Sequence, residues 1–154
     1  MKKNRFSKNW LNKKNRDLYF RKSKFYGYRS RSAFKLIEMN NKFKFLRKNS
    51  SLIDLGSSPG GWSQVSSKII NKGKILAVDI IPMEKIDNVI FLNGDFRDKK
   101  IQNKIKYFFR NKVDVVLSDM AANTSGNKSM DSFRTGELCM QSINLAKEIL
   151  SDEG

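Results

Sequence analysis

The chain has 154 residues, enough for one domain, and 39% of them are hydrophobic, enough for a packed core. With no His and one Cys, Cys139, it excludes Ser-His-Asp and Cys-His catalysis, histidine metal sites and an internal disulfide. The formal net charge of +16 points to a polyanionic partner.

Residues 1–50 hold 17 Lys/Arg against two acids, Asp17 and Glu38, whereas residues 51–154 are nearly balanced at 14 against 13. The same 50 residues carry ten of the 17 aromatics, among them Trp10, Tyr19, Phe20, Phe25, Tyr26 and Tyr28. Cations interleaved with rings suit RNA, whose phosphates pair with the charges and whose bases stack on the rings. A solvated arm that aids solubility is the plainer alternative. Residues 1–28 show no clear period and read as a partly helical arm, with the globular domain over 29–154. Nothing resembles a signal-peptide core or a membrane span, and no zinc-ligand spacing occurs. A cytoplasmic monomer without metal or membrane contact is expected.

A helix is predicted from about residue 30, capped by Ser30 or Ser32, with Ala33, Leu36, Ile37 and Asn40 at helical spacing. Lys35 lies near its apolar face; most such lysines snorkel to solvent, but one held beside a reaction centre would be functional. Residues 51–55 form a first strand and run into a turn with Gly56, Pro59, Gly60 and Gly61, followed by a helix over 62–70 beginning at Trp62. Strand, glycine turn and helix N-terminus make a nucleotide site. The spacing G-x-x-x-G-G is neither the dinucleotide fingerprint nor a P-loop, and no Lys follows to grip a triphosphate.

A second strand over 75–79 ends in Asp79, placed to bind ribose hydroxyls, 18 residues after Gly61. Alone it would read as a surface Asp ending a strand. A third strand over 89–92 leads to Asp95, a helix over 99–110 turns Ile101, Ile105 and Phe108 inward, and a fourth strand over 113–118 delivers Asp119. A long helix over 130–150 offers Leu138, Met140, Ile143, Ala146, Ile149 and Leu150 as apolar positions, with Gly136 a possible break. The alternation implies an α/β fold with a mostly parallel sheet and ligands beyond the carboxyl ends of its strands.

Five stretches then stand in order: YRSRSAFKL at 28–36, DLGSSPGGWSQ at 54–64, DIIPM at 79–83, GDFRD at 94–98 and SDMAANTSG at 118–126. Together they resemble the FtsJ/RrmJ family of S-adenosylmethionine-dependent ribosomal-RNA ribose 2′-O-methyltransferases. The resemblance implies a Rossmann-like methyltransferase fold. It also implies S-adenosyl-L-methionine cradled by Gly56, Gly60, Gly61 and Trp62, with Asp79 on its ribose, Asp95 on its adenine and Asp119 near the methyl. It implies a Lys-Asp-Lys-Glu tetrad whose first two members are Lys35 and Asp119, and a large-subunit rRNA uridine as substrate. Two departures stand out. Ala122 replaces a usual proline and is expected to loosen its loop, and the sequence ends before the fifth strand, where the second Lys would lie, and before the Glu. Weak or no turnover is therefore expected of these 154 residues. The competing readings are a non-catalytic RNA-binding or ribosome-assembly protein with a vestigial methyltransferase fold, an NAD-dependent oxidoreductase, and a small-molecule methyltransferase.

Overall fold

In a computed structural model, residues 18–110, 112–152 and 154 are described. The part of the arm over residues 1–17 lies outside them. The elements run α1 (Leu18–Phe25), α2 (Ser32–Phe43), β1 (Ser51–Leu55), α3 (Gly61–Ile69), β2 (Lys74–Asp79), β3 (Ile90–Asn93), α4 (Lys99–Phe109), β4 (Val115–Ser118) and α5 (Lys128–Ile149).

The four strands pair in parallel in the order β3-β2-β1-β4. Side-chain alternation along β1 divides the core. Ile53 and Leu55 face α4 and α5, packing with Leu76, Val78, Ile101, Ile105, Phe109, Leu145 and Ile149. Leu52 faces the other way, with Ala33, Leu36, Trp62, Val65, Ile75 and Leu117. Burying each such aliphatic side chain contributes about 1.5–3 kcal/mol. The chain winds β1-β2-β3 to one side and then returns to place β4 on the other side of β1. The carboxyl ends of β1 and β4 therefore border the switch-point crevice of a doubly wound sheet.

Several expectations are corrected. Neither serine caps α2: Arg31 occupies the N-cap position and its side chain makes no capping bond, and Ser30 Oγ and Ser32 Oγ lie 2.7 Å apart, bonded to each other. Phe109, not Phe108, completes the buried row of α4, one turn beyond Ile105 and two beyond Ile101, while Phe108 is only partly covered. On α5 the buried residues are Ser142, Leu145 and Ile149, whereas Met140 and Ile143 are exposed. The helix passes through Gly136 unbroken. The fourth strand starts later than expected, because Val113 leaves the ladder and bridges Leu150 instead. Ala122 does not free its loop. Its N–H, which proline would lack, donates to Thr135 Oγ1 at 3.1 Å, and Ser125 Oγ donates to Asp131 Oδ1 at 2.6 Å.

Candidate active site

The turn after β1 is built on two left-handed glycines, Gly56 at φ +73 and Gly60 at φ +105. Gly56 N–H and Ser57 N–H both donate to the Val78 carbonyl, at 2.9 and 3.3 Å, which ties the turn to the end of β2. Gly60 N–H closes it on the Ser57 carbonyl at 2.7 Å. The room left by the missing side chains is taken by protein. A Cβ on Gly56 would lie 2.0 Å from Met120 Cγ, one on Gly60 2.8 Å from Ile86 Cδ1, and one on Gly61 2.0 Å from Ser30 Oγ. These glycines therefore set the turn and let α2 and the loops after β2 and β4 pack against it.

Arg29 fastens the turn from outside. Its Nη1 donates to the Glu84 carbonyl at 2.7 Å and to the Pro59 carbonyl at 3.4 Å, and its Nη2 to the Lys85 carbonyl at 2.8 Å. Its backbone N–H donates to Gln64 Oε1 at 2.8 Å. One guanidinium thus joins the glycine turn to the loop that follows Asp79, a fork that Lys cannot reproduce. Trp62 is buried, and its indole N–H donates to the Ser32 carbonyl at 2.8 Å, fixing α2 to the start of α3.

The three carboxylates singled out in the sequence share the carboxyl edge of the sheet. Asp79 Oδ2 accepts from Ser58 N–H and Oδ1 from Ile81 N–H, each at 2.8 Å, so the side chain is pinned to the glycine turn. Asp95 is held by Arg97, whose Nη2 lies 2.6 Å from Oδ2 and whose Nε lies 2.9 Å from Oδ1; those bonds keep its carboxyl below the usual range. Asp119, one residue past β4, accepts from Lys35 Nζ at 2.5 Å. That ammonium also lies 5.6 Å from the centroid of the Trp62 ring. Residues 84 apart in sequence are thereby paired at the crevice.

A fourth carboxylate, given no role by the sequence reading, lies beneath them. Asp54 is 2% exposed, and burial pushes its pKa up from 3.8 to about 7. The hydrogen bond from Ser63 Oγ, at 2.6 Å, opposes that rise, while the charges of Asp79 and Asp119 add to it. The signal for Asp54 was available: a carboxylate between Ile53 and Leu55 in a buried strand, with Ser63 in the first turn of the helix after the glycine loop.

Of the expected aromatic surface, Tyr19, Tyr26 and Tyr28 gather around Phe34, with centroids 5.7, 6.2 and 5.6 Å away, and so help to hold α1 to α2. Phe25 and Phe43 remain largely exposed beside lysines.

The profile of FtsJ-like methyltransferases matches residues 28–154. The chain belongs to the FtsJ-like methyltransferase family. It is 53% identical to the ribosomal RNA large subunit methyltransferase E of Pelagibacter ubique, over 100% of this chain and 76% of that protein. The protein of the same name from Rickettsia bellii is 42% identical, over 96% of this chain and 68% of its own. The crystal structure of a protein described as a ribosomal RNA methyltransferase from Plasmodium falciparum superposes with a TM-score of 0.73 at 33% identity, covering 80% of this chain and 73% of that one. Arg29→Ala is expected to destabilise the chain by about 1–3 kcal/mol, through the loss of charge-assisted bonds to three carbonyls. Urea unfolding checks this; an unchanged midpoint would show that Arg29 does not hold the turn.

Proposed function

We propose that this chain methylates the 2′-hydroxyl of a ribose, that of a uridine, in large-subunit ribosomal RNA, with S-adenosyl-L-methionine as donor. The observation that carries the reading is the Lys35–Asp119 pair, set just past the end of β4, where the strand order reverses beside β1. A row of anionic groups suits a cationic sulfonium bearing an adenosine. Asp79 would hold the ribose of the donor and Asp95 its adenine, with Arg97 giving up part of its grip. Gly56, Gly60, Gly61 and Trp62 shape the wall. When bound, the donor supplies an activated methyl group. What the chain's own residues add is positioning. Asp119 holds the Lys35 ammonium in place, where it can hydrogen-bond the ribose oxygen and fix its approach, while the hydroxyl proton is lost to solvent as the oxygen–methyl bond forms and the sulfur–methyl bond breaks.

In this reading residues 1–28 and the exposed rings of α1 and α2 grip the RNA, residues 29–154 form the catalytic domain, and the protein works as a cytoplasmic monomer. Among the described residues no helix is long and apolar enough to cross a membrane. The test pairs calorimetry with a transfer assay, using a labelled methyl donor and in vitro transcribed large-subunit rRNA. Binding of the donor and a label resistant to alkaline cleavage at one nucleotide support the proposal. RNA binding without donor binding would instead make the chain a non-catalytic RNA-binding protein.

A further inference from the structure

The near balance of charge over residues 51–154 hides a second segregation. Residues 99–112 hold six Lys/Arg and no Asp/Glu, leaving eight against 13 in the rest of that stretch. Most of these cations ride on α4, which packs beside the open edge of the sheet. Between α4 and strands β2 and β3 lies a groove of about 1100 Å³. It starts from Lys74 and Ile90, the first residues of their strands. The carboxylates of the candidate active site stand at the opposite ends, about 17 Å away along β2.

The floor of the groove is apolar, and its rim carries Lys74, Lys104, Lys106 and Arg110. Among the described residues no carboxylate lines it. Lys106 pairs with Glu148, whereas Lys104 and Arg110 have no ion-pair partner among the described residues. Two rings stand among these charges. Tyr107 is 88% exposed, and Phe108, braced edge-on against Phe109 at 4.8 Å, has the Lys74 ammonium 5.8 Å from its centroid. An exposed ring of that size on a helix face has no role in the core. Cations without counter-ions, flanking accessible rings over an apolar floor, match phosphates spaced along stackable bases.

We infer that this groove is a second RNA-contact surface, taking a single-stranded or looped segment of the same RNA whose ribose enters the crevice. The inference rests on the RNA-methylating reading of the crevice. It adds that the substrate is held at both ends of the sheet. An extended acidic peptide would satisfy the charges but not the rings, so RNA is the occupant committed to here.

The test compares the parent chain with a triple variant, Lys104→Gln, Tyr107→Ala and Arg110→Gln, at exposed positions that the core does not use. Affinity for labelled large-subunit rRNA is expected to fall at least about tenfold, with the salt slope shallower by roughly 1.5. S-adenosylmethionine affinity should be unchanged. If the parent binds RNA and the variant binds it equally well with the same slope, the groove inference falls and the functional reading stands. If the parent binds no RNA, both fall. A polyglutamate peptide that binds the parent but not the variant, with RNA affinity unaffected, would overturn the inference in favour of an acidic protein partner.

Discussion

Replacing Asp119 by Asn is expected to slow the already weak methyl transfer of these 154 residues by a further factor of about 10² while changing stability by less than about 1 kcal/mol. The two halves of that expectation have different origins. The Lys35 and Asp119 side chains are 58% and 34% exposed, so solvent screens their attraction and folding gains little from it. Their value to the reaction is positional. The ammonium of Lys35 is directed by one carboxylate oxygen, and an amide in its place still accepts a hydrogen bond but no longer attracts the charge. Lys35→Arg should fail almost as badly, because a broad, planar guanidinium does not place a donor where the compact ammonium does. The two residues act as one unit. Lys35→Ala combined with Asp119→Asn should therefore cost little more than either change alone. Single-turnover transfer from a labelled donor to rRNA, with donor affinity measured separately, reads the effect. A parent-like rate in either single variant would make the pair a surface ion pair and nothing more, and additive losses would overturn their acting as one unit.

The parts of this site legible in the sequence are those that local rules control. Residues 51–64 announced a buried strand, a glycine turn and a helix, because aliphatic residues, then glycines and proline, then helix formers follow in order. Asp79 and Asp119 were found by their place at strand ends. What depends on contact across the fold was not legible. The sequence put glycines where a ligand would approach, but only the folded chain shows Met120, Ile86 and Ser30 filling those spaces. Adjacent Phe108 and Phe109 both satisfy a helical period, and the sheet decides that Phe109 is buried. Around α5 apolar residues occur on several sides, so periodicity selected Met140 and Ile143 and passed over Leu145, which is 2% exposed. Ser30 and Ser32 looked like caps because both hydroxyls precede a helix; packing against Gly61 gave them other neighbours.

Asp54 leads to the other large expectation. A carboxyl whose folded pKa is raised makes the native state bind the proton more tightly than the unfolded chain does. Its contribution is complete below the ordinary value of 3.8 and is lost as pH rises toward about 7. At about 1.4 kcal/mol per pH unit, that loss amounts to roughly 4 kcal/mol by neutrality. Asp54→Asn keeps an acceptor for Ser63 Oγ and removes the titration, at the cost of an amide N–H₂ without an evident partner, about 1–3 kcal/mol. The variant should therefore be more stable than the parent above pH 7, by about 1–3 kcal/mol, and its urea midpoint should be nearly flat from pH 4.5 to 7.5 where the parent's declines. A buried acid whose ionisation burial and the charges of Asp79 and Asp119 oppose is unfavourable for the empty fold, and a cationic ligand would relieve that cost. The same substitution should therefore lower affinity for a cationic donor while raising stability. A role confined to folding would move the two measurements together. Parallel pH profiles for parent and variant would show that Asp54 never holds its proton across that range.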